Sequence, residues 1–443
     1  MPQKELLFVS HHRSKRAQHH ANAERDQEQH SDAPAFDHPL VPKGTYELLE
    51  SSAAVDEFVR HVRDVGVIAF DTEFIGEETF RPKICLVQIA TEQRVALLDP
   101  LSGVDPMPIY QLVADTSVLT LVHAGEQDLM AVKQAINGNA NHLVDTQIAA
   151  SLIGLPWPSS LGNTIEHLTG LHIDKAHTFT EWDRRPLSKS QLRYAADDVR
   201  YLPLVWSRIK EQLERENRLH WAMQESATQL AGEPAFDPDR QMRRASRGEP
   251  LKPAVMTILR ELVLLRRELA ETEDQPQRTL LSDGALMELV RRKPDNVGAL
   301  REIRFVPQQV AERHGQRIVQ CIRDAKSMPP IRQEFARLLE DTAVRARIDA
   351  MWLAFQTRCM ATNIAPNLVS SRAEFTSWLA ACIDREHKLA QGVAVESAPL
   401  PFPIQDWRAE SIGRWLSEFI DGRCELALRW DAASGALRLG ATP

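Results

Sequence analysis

The sequence predicts a mixed α/β domain followed by an all-helical region, and three observations carry that expectation. Between residues 44 and 230, short apolar runs bounded by turn residues alternate with amphipathic windows of helix length. Beyond a stretch rich in Pro, Gly and charge, apolar residues recur at i, i+3, i+4 and i+7, as on one face of a helix. Ahead of both, residues 1–43 are rich in His, Gln, Asp, Glu, Arg and Ser without apolar periodicity, so a disordered tail is expected there.

In chain order, AAVDEFVRHVRDV (53–65) reads as a helix and VIAFDTEF (67–74) as a strand. ICLVQIA (84–90) and RVALLD (94–99) follow as strands, and the short connections among the three predict an antiparallel meander. VLTLVHA, GEQDLMAVKQAI, HLVDT and TQIAASLIG then alternate strand with helix up to residue 154. After the turn PWPSS come a short helix and a long one containing QLRYAADDVRYL (191–202). Residues 231–247 are expected to be a linker, 248–328 a helical domain opened by VMTILRELVLLRRELA, and 329–443 a second helical domain. Trp352, Trp378, Trp407, Trp415 and Trp430 recur inside apolar patterns of that last region, as core residues do.

The chain of 443 residues, 43% hydrophobic, has material for two or three cores. No apolar run approaches the roughly 18 residues that a membrane span needs. The first ten residues show no cleavage signal, so no secretory leader is expected. Five cysteines, odd in number and without CxxC spacing, fit a reduced cytoplasmic protein. A net charge of −8 excludes binding to nucleic acid through bulk positive charge. It leaves local patches, RQMRRASR (240–247) and RRK (291–293), as either phosphate contacts or solvated surface.

On a helical wheel Leu192, Ala195, Val199, Leu202, Trp206, Ile209 and Leu213 gather on one side. Asp197 then falls opposite that stripe, where a solvated acid is unremarkable. Asp198 falls on its edge, one turn from Tyr194, and needs either an arginine or a metal to compensate it. Asp71 and Glu73 alternate along an apolar strand and share a face. Asp128 stands at a helix start, where the helix dipole alone would favour an acid, and Asp145 is placed to cap the helix that follows it.

Taken as an ordered set, DxE on a first central strand, Asp at a later helix start and YxxxD on a final helix resemble the DEDD exonucleases of the tyrosine-bearing subgroup. FDTEF, HAGEQDL and RRPLSKSQLRYAADDVRYL, with their helical sequel, are similar to the ribonuclease D family and its HRDC (helicase and RNase D C-terminal) domain over residues 44–326. Residues 329–443 fit a diverged, HRDC-like domain. HTFTEW (177–182) departs from the acid-tryptophan run expected before RRPL, which bears on substrate contacts and not on the acids.

The resemblance implies a ribonuclease H-like exonuclease domain, a mixed sheet flanked by helices, followed by all-α HRDC-type domains. It implies a metal-dependent 3′-to-5′ exoribonuclease that releases nucleoside 5′-monophosphates and matures tRNA precursors and other structured RNAs. Asp71, Glu73, Asp128 and Asp198 would hold two divalent ions, Mg²⁺ or Mn²⁺, with Tyr194 orienting a water and helping to remove its proton. Four clustered carboxylates need such neutralisation. Phe74 has two readings, a wedge against the last base or core packing. His123 is either a second-layer group or packing, and Arg184, Arg185, Lys189 and Arg193 either hold phosphates or are solvated surface. RNA is the expected partner, with no membrane and no obligate protein partner. A DNA exonuclease and a catalytically silent nucleic-acid adaptor are the alternatives.

Overall fold

The structure is a computed structural model that describes residues 37–76, 79–173, 181–230, 236–247, 249, 251–331, 335–394, 406–425, 427–431 and 436–440. Most of the expected tail (1–36) and part of HTFTEW (177–180) lie outside the described residues. The expected tail ends earlier than 43, however, because Val41 is buried in the core and the Pro42 carbonyl accepts from Arg200.

One six-stranded sheet organises the first domain. It contains β1 (Glu47–Leu48), β2 (Val67–Ile75), β3 (Lys83–Ala90), β4 (Val95–Leu98), β5 (Leu119–Val122) and β6 (Leu143–Asp145), in the order β1-β4-β3-β2-β5-β6. β2, β3 and β4 form the expected antiparallel meander, while β5 and β6 add in parallel on the other side of β2. Helix α1 (Ser52–Val65) is capped by the Ser51 side chain and stopped by Gly66 at φ 76°, the left-handed conformation that glycine adopts without steric penalty. With α2 (Met107–Ala114) and α3 (Glu126–Ile136) it buries Phe58, Ile109 and Leu129 against Ile68 and Phe70 on one sheet face.

The other face carries α4 (Thr146–Ser151), α5 (Leu161–Thr169), α6 (Lys189–Arg200), α7 (Leu202–Arg215) and part of α8 (Leu219–Leu230). A capping box between Ser188 and Gln191 fixes where α6 begins. The long helix expected through residue 213 is two helices, α6 and α7, because Pro203 has no N–H to continue the ladder and sits instead in the first turn of α7. The apolar stripe survives the break: Ala195, Val199, Leu202, Trp206, Ile209 and Leu213 are all buried.

The segment expected as a linker holds a helix, α9 (Pro238–Ala245), capped by Asp237 and burying Met242 and Ala245 in the core of the helical domain. That core is built by α10 (Pro253–Glu273), α11 (Gln277–Leu280), α12 (Asp283–Arg292), α13 (Val297–Arg301) and α14 (Gln308–Ser327). Four of the seven basic residues in the two patches are paired, Arg243 with Asp237, Arg244 with Asp283, Arg291 with Glu288 and Glu249, and Arg292 with Glu288.

The last region contains α15 (Ala336–Glu340), α16 (Thr342–Ala361), α17 (Pro366–Val369), α18 (Arg372–Ala390), α19 (Asp406–Arg408), a π-helical turn (Ala409–Gly413) and α20 (Arg414–Ile420). A hairpin of β7 (Ala427–Asp431) and β8 (Ala436–Gly440), not expected from the sequence, closes it. Its apolar residues, Phe355, Phe375 and Trp407 among them, are continuous with the core beneath α6 and α7. Trp352, Trp378 and Trp415 pack against that core, and the Trp430 side chain lies outside the described residues. Glu225 on α8 fastens the contact, accepting from Trp407 Nε1 at 2.6 Å and from both terminal nitrogens of Arg408 at 2.6 and 2.7 Å.

Candidate active site

Alternation along β2 puts Asp71 and Glu73 on the face covered by α6, which lies across β2, β3 and β4 and presents Tyr194 and Asp198 one turn apart. A bulge between Glu73 and Phe74 shifts the register with β3, and Phe74 reaches the same cavity. That cavity, of about 360 Å³, is lined by Asp71, Glu73, Asp128, Asp198, Tyr194 and Phe74, with His123 at its wall. Glu126 and Gln127 also line it; their exposed positions in the first turn of α3 gave no signal in the sequence.

Asp128 reaches the cavity from α3 and is tied to β2, its Oδ1 accepting the Thr72 N–H at 3.1 Å and the Thr72 hydroxyl. Asp145 caps α4 as expected, accepting from Gln147 N at 2.8 Å. It also accepts from Ala124 N at 3.0 Å and Gly125 N at 3.3 Å, so one carboxylate holds the turn from which α3 departs. Gly125 is required in that turn, since a Cβ there would stand 2.6 Å from the Val122 Cβ.

Each of the four cavity carboxylates is held above its ordinary range. Lost hydration is the main cause for Glu73, pushed up to about 8, with repulsion from Asp198 and Asp128 added. Asp198 rises to about 7 for the same reason, against a hydrogen bond from the Tyr194 hydroxyl. Asp71 rises well above the usual carboxylate range through burial and then through Asp128, Asp198 and Glu73, and Asp128 rises through burial against its bonds from Thr72. Burial beside these acids also raises Tyr194, which keeps its phenol protonated and a donor. Among the described residues no three His, Cys, Asp or Glu side chains stand close enough to hold an ion as placed. The mutual repulsion nevertheless makes the carboxylates one electrostatic unit, and an all-oxygen anionic set is the donor chemistry that Mg²⁺ and Mn²⁺ prefer.

Arg185 is not available to phosphate: it donates to both Asp99 oxygens, to the Cys85 carbonyl at 2.8 Å and to the Trp182 carbonyl at 2.7 Å. The loop it holds sets Trp182 against the Tyr194 ring, with centroids 6.2 Å apart. His123 has both ring nitrogens engaged, with the Thr146 hydroxyl and the Ser159 carbonyl, and lost hydration lowers it to about 4, so it is neutral at working pH. Arg193 lies 3.8 Å from Asp197. Arg184 pairs with Glu181, and Lys189 is exposed.

Asp197 corrects the wheel. It is half-buried and pairs at 3.0 Å with Arg200, whose side chain is only 1% exposed and also donates to the Pro42 and Gly44 carbonyls. The side opposite the apolar stripe is covered by the chain segment before β1, which a wheel of one helix does not contain.

The 3′-5′ exonuclease family matches residues 46–214, and the HRDC domain family matches residues 256–322. Ribonuclease D of Gluconacetobacter diazotrophicus is 31% identical over 389 residues, covering 86% of this chain and 94% of that protein. The chain belongs to the ribonuclease D family. Ribonuclease D of Bartonella henselae is 27% identical over 369 residues, 82% of this chain and 87% of that protein. In fold, the crystal structure of Escherichia coli RNase D, described as an exoribonuclease involved in structured RNA processing, superposes with a TM-score of 0.68. It is 24% identical, over 86% of this chain and all of that one. As a ribonuclease D the protein is a 3′-to-5′ exoribonuclease of a metal-dependent nuclease class. No described helix is long and apolar enough to cross a membrane.

Proposed function

We propose that Asp71, Glu73, Asp128 and Asp198 hold two divalent ions, Mg²⁺ with Mn²⁺ as substitute, and that Tyr194 orients the attacking water at the 3′ end of RNA. The assignment rests on one cavity into which β2, α3 and α6 deliver four mutually repelling carboxylates and a phenol. Such ions, when bound, stabilise the attacking and leaving oxygens of an in-line phosphoryl displacement. Asp71 is raised by each of the other three acids, Asp128, Asp198 and Glu73, which suits it to face both ions. Glu73, beside Phe74, is placed to meet the terminal sugar. Tyr194, which gives its one proton to Asp198, leaves its phenol oxygen to accept from the water and so fixes the direction of one water O–H bond. With its phenol held protonated, its contribution is orientation; removing the proton would need the positive charge of the ions. Phe74 supplies an apolar wall for the last base, and the product is a nucleoside 5′-monophosphate.

The natural substrates we assign are tRNA precursors and other structured RNAs, trimmed in the cytoplasm. Five free cysteines agree with a reducing compartment. Residues 248–328 are read as the HRDC domain and 329–443 as a second, HRDC-like unit docked through Glu225. Purified protein is incubated with 5′-labelled RNA and DNA of equal sequence, with Mg²⁺ or EDTA. Stepwise shortening of RNA only with metal is expected. Preferred shortening of DNA, or binding without degradation, would overturn the reading.

A further inference from the structure

Opposite Asp71 in the sheet lies a buried polar side chain without a hydrogen-bond partner among the described residues. Gln88 on β3 is fully buried, and neither its Oε1 nor its Nε2 has a hydrogen-bond partner. Its partner across the β2–β3 ladder is Asp71. Residues directly opposite on antiparallel strands project to the same side, with Cβ atoms about 4.5–5.5 Å apart. The side in question is the one α6 covers, where the other β3 residues, Leu86 and Ala90, are apolar and pack with Ala195 and Val199. A leucine would suit that setting better than an amide, because a buried polar group without a partner costs free energy. Thr120 is a second sheet residue with an unpartnered hydroxyl, but it pairs with Ile68 and so faces the opposite layer.

We propose that Gln88 is a positioning residue for the ion site, its Nε2–H donating to one Asp71 carboxylate oxygen while the other is turned to the cavity. This rests on the reading of Asp71 as an ion ligand. A ligating carboxylate in a dry site presents an oxygen away from the ion, and that oxygen needs a donor. An amide supplies the donor without adding a charge. A lysine in the same place would neutralise Asp71 and weaken its hold on a cation. The unpartnered amide is thus the donor that an ionised, ion-facing Asp71 requires.

The test uses full-length protein carrying Gln88→Leu, with Gln88→Met as the alternative if leucine does not fold, and Asp71→Asn alongside. Mn²⁺ affinity is measured by calorimetric titration, melting temperature with and without Mn²⁺, and kcat and KM on a short RNA. Gln88→Leu should melt no lower than wild type without metal, since it removes an unpartnered amide. It should bind Mn²⁺ about 10-fold or more weakly, gain less from Mn²⁺ in melting temperature, and lose kcat with KM nearly unchanged. Mn²⁺ affinity within about 2-fold of wild type in Gln88→Leu, with binding lost in Asp71→Asn, would overturn the Gln88 proposal alone. Unchanged affinity in Asp71→Asn would overturn the ion-site reading beneath it.

Discussion

Asp197 and Asp198 are adjacent in sequence and should fail in opposite ways when substituted. Asp197 compensates a guanidinium whose side chain is 1% exposed and which no other acid approaches among the described ion pairs. Asp197→Ala leaves Arg200 with only the Pro42 and Gly44 carbonyls. Removing one partner of a buried pair costs about 3–5 kcal/mol; Asp197 is itself partly exposed, at 21%, so the lower end, about 3 kcal/mol, applies. In a domain of this size that lowers the melting temperature by roughly 6–12 °C. Activity measured well below the transition should stay within about 3-fold of wild type, because Asp197 does not line the cavity. Asp198→Asn should do the reverse. It removes a carboxylate held at about 7 by lost hydration, so melting of the metal-free protein at pH 8 should not fall. Loss of one ligand charge should lower kcat by at least ~10²-fold, comparable to the loss of a key transition-state donor. Differential scanning fluorimetry and RNA trimming on the same preparations separate the two. Loss of activity at unchanged stability in Asp197→Ala, or full activity in Asp198→Asn, would refute the assignment.

Tyr194→Phe should lower kcat by about 10-fold to 10³-fold, the range of positioned acid-base assistance, while Mn²⁺ titration shows affinity largely retained. Glu73 and Asp198 are pushed up to about 8 and about 7 in the metal-free fold, above an unfolded carboxylate near 4, so their contribution to folding is full below about pH 4 and is lost progressively as pH rises from there through about 7 to 8. Melting curves in EDTA should therefore show a decline across that interval that Glu73→Gln lessens, and the gain from Mg²⁺ should be larger at pH 8.5 than at pH 6. Gly125→Ala must displace Val122 or the turn, costing about 1–3 kcal/mol and moving Asp128; lower melting and lower kcat together, read by scanning fluorimetry and trimming, are expected. Glu225→Ala should loosen the C-terminal region by leaving Arg408 and the Trp407 N–H without their acid, seen as faster limited proteolysis after residue 330 at unchanged kcat on a short RNA.

What the sequence made legible was local or ordered. The meander followed from short connections, and the four acids from their order along the chain. What it concealed depended on partners far away in sequence. Asp197 looked solvated because the carbonyls that share its arginine belong to Pro42 and Gly44. Arg185 looked available because Asp99, 86 residues earlier, is invisible to local pattern. Pro238 looked like a linker residue, whereas Asp237 before it makes the pair a helix start, with the proline in the first turn. The hairpin at the C-terminal end was missed because two strands within a long helical stretch carry little periodic signal.

The location of the cavity follows from where the sheet changes direction. β2 is antiparallel to β3 on one side and parallel to β5 on the other. The carboxyl ends of the parallel strands β2, β5 and β6 therefore lie along one edge, where open α/β sheets leave a crevice. Asp71 and Glu73 stand at the end of the first, and Asp128 enters from the helix that follows the second. Asp145 ends the third and fastens the turn that aims Asp128. The fourth cavity acid does not come from a neighbouring strand end, since β3, the next strand beyond β2, runs the other way. α6, laid across β2, β3 and β4, supplies Asp198 and its tyrosine from above. An acid pair on a strand, one acid on a helix start and one on a crossing helix are thus what this topology can deliver to a single point, which is why the order of the four along the chain carried the information that no one of them did.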